Sequence, residues 1–111
     1  MTSPAERKAL NEGAFRDANE RLERAAHELL RGDDGSFVPF LCECPKRDCM
    51  QVVLLTLAEY EQVRSRGEQG LAALGHEDRT VEHVVDENER FVTTLKFGEA
   101  GEVHAEGDPR G

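Results

Sequence analysis

All three cysteines of the chain fall within eight residues, at Cys42, Cys44 and Cys49 of the stretch "FLCECPKRDCM". Thiols grouped this closely can pack, bridge, do redox chemistry or hold a metal. Free cysteine packs well as a small hydrophobe, but that accounts for one residue here and poorly for three. Cysteines two apart on a strand have Cα atoms near the upper limit of bridging distance, and an odd count fits a disulfide framework poorly. Redox chemistry requires low thiol pKa values, which Lys46 and Arg47 in the intervening turn would favour, but the usual C-x-x-C spacing is missing. Metal binding fits best. Alternation along a strand puts Cys42 and Cys44 on one face with Phe40. A turn through Pro45 to Asp48 then brings Cys49 back toward them. Thiolates select zinc or an iron–sulfur cluster, and zinc prefers a tetrahedron. Three cysteines are one short of the four that most clusters use, so the spacing predicts Zn2+ with a fourth ligand from elsewhere.

The chain has four histidines. His27 lies beside the apolar stripe of a predicted helix, His83 sits among valines, and His104 is in the C-terminal tail. His76 follows Gly75 in "LGHED", a flexible backbone position ahead of a turn. It is the chosen fourth ligand, with His83 next. The predicted metal set is Cys42, Cys44, Cys49 and His76. A C-x-C-x4-C cluster is more specific than a lone C-x-C and less specific than paired C-x-x-C motifs. Three thiolates, a neutral imidazole and a divalent ion leave a net negative charge, which Lys46, Arg47 and turn N–H groups aimed at sulfur would offset. Either cation taken alone reads as part of an ordinary solvated turn.

Two other uses of the site stay open. One is a redox-sensing zinc/thiol switch, in which oxidation releases the metal. The other is a zinc enzyme with an open position for water and Glu77 or Glu43 as general base. The chain has no Gly-rich phosphate loop, no H-E-x-x-H and no deaminase signature, and no catalytic constellation is found. The reading is therefore a non-enzyme with a structural metal.

The elements that must position these residues follow from the patterning. Ser3 as N-cap, Pro4 at the first helical position and Glu6 three after the cap begin a helix. Gly32 suits its end. Phe15, Ala18, Leu22, Ala25 and Leu29 recur at alternating spacings of three and four and form one stripe. A helix over 4–31 would be roughly 40 Å long. Its stripe is expected to lie on the protein's own sheet, with part of the helix free to overhang and meet another chain. "GDDGS" breaks the chain. "FVPFLCEC" and "MQVVLLT" then read as the strands of a hairpin, the second covered on both faces. Thr56 and Glu59 form a second capping box for a short helix to about Arg66, with Leu57, Tyr60 and Val63 inward. Leu71 and Leu74 mark a strand or a loop that dips into the core. A second hairpin has one strand ending at Asp86, a turn at "ENER", and a strand from Phe91 to Phe97 with Phe91, Thr93, Leu95 and Phe97 on one side.

The predicted fold class is α+β: a long N-terminal amphipathic helix, then a small antiparallel sheet of two hairpins with one short helix and a zinc-knuckle-like Cys3His site. Residues 1–97 read as a single domain, with the core at 37–97, and 98–111 as a flexible acidic and Gly-rich tail.

"FLCEC", Cys49, "LTLAEYEQVR", "GHED" and "VVDENERFVTTLKF" together resemble an uncharacterised family of small actinobacterial proteins, and "NEGAFRDANERLE" fits the same family. The resemblance covers about residues 11–97. The family's three cysteines followed by Gly-His map onto Cys42, Cys44, Cys49, Gly75 and His76. The family often has glycine where Pro45 stands, and a more β-like run ahead of Gly-His than "GLAALGH". The resemblance implies a zinc-binding-like architecture and no established activity.

The chain has 111 residues and a net charge of -9. Such an excess of carboxylates argues against nucleic acid and against an anionic membrane surface. No apolar run approaches the ~20 residues of a membrane span, and "MTSPAERKAL" lacks a signal-peptide core. The expectation is a small cytoplasmic interaction or regulatory module, meeting a protein partner or a second copy through its N-terminal helix.

Overall fold

Pro4 opens the first helix, α1 (Pro4–Leu30), at the position where a missing N–H leaves no bond unmade. The structure, a computed structural model, describes residues 3–31, 33, 35–44, 46, 49–107 and 110. The predicted roles of Gly32, Pro45, Arg47 and Asp48, and of the Glu6 and His104 side chains, lie outside the described residues. α1 ends on Arg31, which takes a left-handed φ of 47° and donates its N–H to the His27 carbonyl at 3.1 Å. The carboxylate of Asp33 then holds the turn, accepting from the Gly35 N–H at 3.2 Å and the Ser36 hydroxyl at 2.7 Å.

Strands β1 (Phe37–Leu41) and β2 (Val52–Thr56) form an antiparallel hairpin in which Phe40 faces Val53 and Leu41 faces Val52. Helix α2 (Leu57–Val63) follows at once. Thr56 accepts from the Glu59 N–H at 3.1 Å, and Glu59 accepts from the Thr56 N–H at 2.9 Å, so the predicted capping box is formed. Strands β3 (Gln69–Ala72), β4 (Glu82–Glu87) and β5 (Val92–Lys96) make a second antiparallel sheet in the order β3-β5-β4, with a bulge between Val84 and Asp86. Phe40 and Tyr60 stack at 4.3 Å in the core, surrounded by Val38, Val53, Leu55, Leu57 and Leu71.

The α+β class holds, and four details differ from the sequence reading. First, the hairpins belong to two sheets and not one. Glu43 links them, donating its N–H to the Leu71 carbonyl at 2.9 Å and accepting the Leu71 N–H on its carboxylate at 3.3 Å. Second, β2 is covered on one face only. Val52 is 54% and Leu54 44% exposed; on the outer side of this two-stranded sheet the Arg90 guanidinium lies 4.6 Å from the Phe37 ring and leaves Val52 and Leu54 open. Third, residues Gly98–Glu106, expected in a flexible tail, form helix α3 against α1. Gly101 lets α3 lie close on the end of β5: a Cβ there would sit 2.9 Å from the Lys96 carbonyl oxygen. Beyond it Arg110 donates to Glu20 at 2.8 Å, Glu23 at 2.9 Å and Glu61 at 2.6 Å, tying that end to α1 and α2.

The fourth difference concerns α1 itself. Its buried side is not the stripe of Phe15, Leu22 and Leu29. It is Glu12, Arg16, Asn19, Glu20, Glu23 and Ala26, while Leu22 is 38% and Leu29 83% exposed. Buried polar groups survive when they are paired and hydrogen-bonded. Lys96, fully buried, lies 2.6 Å from Glu12 and 2.8 Å from Glu82. Arg64 pairs with Glu43, donates to the Tyr60 hydroxyl at 3.0 Å and lies 3.6 Å from Glu20. Arg16 donates to the Gly67 carbonyl at 3.1 Å. The β5 face that carries Thr94 and Lys96 is buried as well, with its cation meeting carboxylates and not water.

Candidate metal centre

β1 continues past Leu41 into the first two cysteines. The Cys42 N–H donates to the Gln51 carbonyl at 2.9 Å, which carries the hairpin pairing one residue further. Alternation then sends Cys42 and Cys44 to the core side and Glu43 the other way. Both thiols are buried, in line with Phe40 as predicted. Glu43 is buried too, held by Arg64 and by the Asn19 amide at 2.7 Å. Asn19 also donates to the Leu41 carbonyl and accepts the Leu41 N–H, each at 2.8 Å, so α1 itself seals the free edge of the strand that delivers the thiols.

Cys49 returns on a tight turn, its N–H donating to the Lys46 carbonyl at 3.0 Å. His76 comes from the far sheet. β3 runs out at Ala72, and the His76 N–H closes a turn onto the Ala73 carbonyl at 3.0 Å. Within that turn Gly75 takes φ +80°, a conformation that L side chains rarely adopt. This local bend swings the imidazole back over the hairpin.

The ligating atoms of Cys42, Cys44, Cys49 and His76 all lie within 4.8 Å of one another, an arrangement that could hold a metal ion. His76 Nδ1 is 3.6 Å from Cys42 Sγ and 3.7 Å from Cys49 Sγ. Backbone N–H groups surround the sulfurs: Ala73 donates to Cys42 Sγ at 3.3 Å, the Cys44 N–H also serves Cys42, and the Lys46 N–H serves Cys44. Burial pushes the Cys42 and Cys44 thiols up, well above the ordinary range for Cys42, so a cation is needed to hold them as thiolates. Cys49 and His76 are half-buried and mark the open side. Beside them lies a depression of about 460 Å³ lined by Lys8, Lys46, His76 and Arg79 among others, and Lys8 ties α1 to Asp78 at 2.6 Å.

The other sequence candidates are placed elsewhere. His83 stacks on Phe97 at 4.5 Å, and His27 is on the exposed side of α1, 3.9 Å from Glu23. Of the two candidate general bases, Glu43 points away from the thiols into its ion pair, and Glu77 lies 3.2 Å from Arg79. Asn19 and Arg64, which brace the hairpin behind the thiols, were not singled out by sequence. Nothing in their local sequence marks them; what they hold is Glu43, the acid between the first two cysteines.

Among the described residues no helix is long and apolar enough to cross a membrane. Comparison with protein-family models, curated proteins and solved structures finds no match to this chain. Function must therefore be read from the site and the surface.

Proposed function

We propose that Cys42, Cys44, Cys49 and His76 bind one Zn2+ as a structural ion, in a small module whose work is to bind another macromolecule in the cytoplasm. The spacing of the donors is the observation that carries this. Tetrahedral zinc, with bonds of about 2.3 Å to sulfur and 2.0 Å to nitrogen, sets sulfur and nitrogen about 3.5 Å apart. The two sulfur–nitrogen distances of 3.6 and 3.7 Å are close to that edge. Four protein donors fill the tetrahedron and leave no position for a reacting water, which favours a structural role over a catalytic one. An iron–sulfur cluster would ordinarily take four thiolates. Backbone N–H groups aimed at sulfur spread the excess negative charge of a three-thiolate site. The acidic body favours a protein partner over nucleic acid or an anionic membrane.

Metal analysis of the purified chain tests the reading. One zinc per chain is expected, with loss on Cys42→Ser and on His76→Ala. A metal-free chain that binds no added zinc, or full zinc retention by His76→Ala, overturns it.

The half-exposed Cys49 favours a second reading, the redox switch. Hydrogen peroxide would oxidise Cys49 and a neighbouring thiol to a disulfide, be reduced to water, and free the ion. Zinc retained through a peroxide titration excludes it.

A further inference from the structure

The apolar stripe of α1 and the outer face of the β1–β2 hairpin are one surface. Asn19 pins α1 to the free edge of β1 through Leu41. Glu20, the next residue, turns toward Arg64, the residue just past the end of α2, and α2 covers the hairpin's inner face through Tyr60 on Phe40. At about 100° per residue, the stripe residues lie roughly 40–120° round the helix from Asn19 in the opposite sense, hence on the outer side. There the hairpin presents Phe37, Pro39 and Leu41 from β1 beside Val52 and Leu54 from β2, paired Pro39 to Leu54 and Leu41 to Val52. Phe37 is 55% exposed with the Arg90 guanidinium 4.6 Å from its ring, and its apolar neighbours on that face are open or half-open. An exposed face this apolar on so acidic a chain marks an interaction site.

We propose that its occupant is a second copy of this chain, docked with its α1 antiparallel about a two-fold axis. The stripe is a heptad seam, with Phe15, Leu22 and Leu29 at the a positions and Ala18 and Ala25 at d. In an antiparallel pair a meets d, so Leu22 seats on Ala25 of the second copy and Leu29 on Ala18, large on small. A parallel pair would set leucine against leucine and alanine against alanine. Charge agrees. The flanking e positions, Asn19 and Ala26, are buried on the protein's own body, which leaves the g positions, Arg21 and Glu28, both exposed. The two-fold sets Arg21 of each copy beside Glu28 of the other, two reciprocal pairs. Geometry agrees as well. Paired helices sit 8–10 Å apart and stacked sheets about 10 Å apart, so one axis can close the helix seam and bring the two hairpin faces together. Such a contact is isologous and self-limiting.

This supplies the partner for the interaction-module reading and rests on that reading only in this respect. The docking surface is on the opposite side of the hairpin from the thiols. The test is sedimentation of the purified, zinc-loaded chain over roughly 1–100 µM, a range that covers the weak end of standard-size interfaces. A dimer is expected. Leu22→Glu should give a monomer that keeps its zinc and its helical circular dichroism. Arg21→Glu should weaken association about tenfold, since it makes two attractive pairs repulsive, and Glu28→Arg in the same chain should restore it. The swap changes only exposed side chains, so it remains informative if Leu22→Glu does not fold. A monomer throughout the range, a dimer indifferent to Leu22→Glu, or a charge swap without rescue overturns the proposal. A zinc-bound monomer counts against the dimer alone, and a metal-free dimer against the metal alone.

Discussion

His76 and Glu43 show what a single residue can and cannot disclose. The grouping of the four candidate donors was legible because few side chains can hold a soft cation, and three sulfurs on a hairpin call for a fourth donor. Glu43 and Asn19 were not, because an acid beside a turn and an amide on a helix have the composition of surface. Glu43 is buried against Arg64, and Asn19 against Glu43 and the Leu41 backbone, all contacts distant in sequence. The site nevertheless leans on them. Arg64→Met would leave the Glu43 carboxylate buried without its cation, and removing one partner of such a pair costs about 3–5 kcal/mol. We expect urea unfolding of the zinc-loaded protein to show that loss, with Glu43→Gln costing less because the amide can still accept the Leu71 N–H. Gly75 is the other sensitive position. Its φ of +80° costs an ordinary L residue about 1–2 kcal/mol, so Gly75→Val should lower zinc affinity in chelator competition, and Gly75→Asn should lower it less.

At the scale of elements, local signals worked where the interaction is local. The capping box of α2 was readable from Thr56 and Glu59 because both partners lie within one turn. What was not readable is that Glu59 also takes Arg90, at 2.6 and 3.0 Å, from the turn between β4 and β5. The bond from Arg90, and then the N–H and hydroxyl of Thr56, hold the Glu59 carboxyl below its ordinary 4.5. The folded value lies below the unfolded one, so this contribution is complete above pH 4.5 and is lost as pH falls through the lower folded value. Acid unfolding followed by circular dichroism should therefore be shallower below pH 4.5 in Glu59→Gln than in the parent chain. Loss of the cap in Glu59→Ala should cost about 1 kcal/mol at neutral pH. α1 was misread because periodicity assigns the apolar face to the core, and here the helix turns a face of paired charges inward.

The whole molecule is held together by those charged faces as much as by its apolar core. Lys96 of β5 stands between Glu12 of α1 and Glu82 of β4, and its ammonium also reaches the Thr94 hydroxyl at 3.2 Å. One cation thus fastens the longest helix to the three-stranded sheet. Burial drives the Lys96 ammonium down and the Glu82 carboxyl up from their ordinary values, while their mutual attraction at 2.8 Å opposes both shifts. The cluster has two carboxyls for one ammonium, so removing the ammonium is the damaging change. Lys96→Met would leave both acids desolvated without a counter-ion, and we expect it to cost about 3–5 kcal/mol in urea unfolding. If the cost comes from stranded charge and not from lost volume, the three-site variant Glu12→Leu, Glu82→Leu, Lys96→Met must recover most of it, since a buried ionic cluster can be replaced by apolar groups at little loss. A triple variant no more stable than Lys96→Met alone would show instead that the junction depends on the shape of these side chains. The zinc content of each variant should stay unchanged, because the cluster braces α1 against the sheet and contributes no donor to the thiol site.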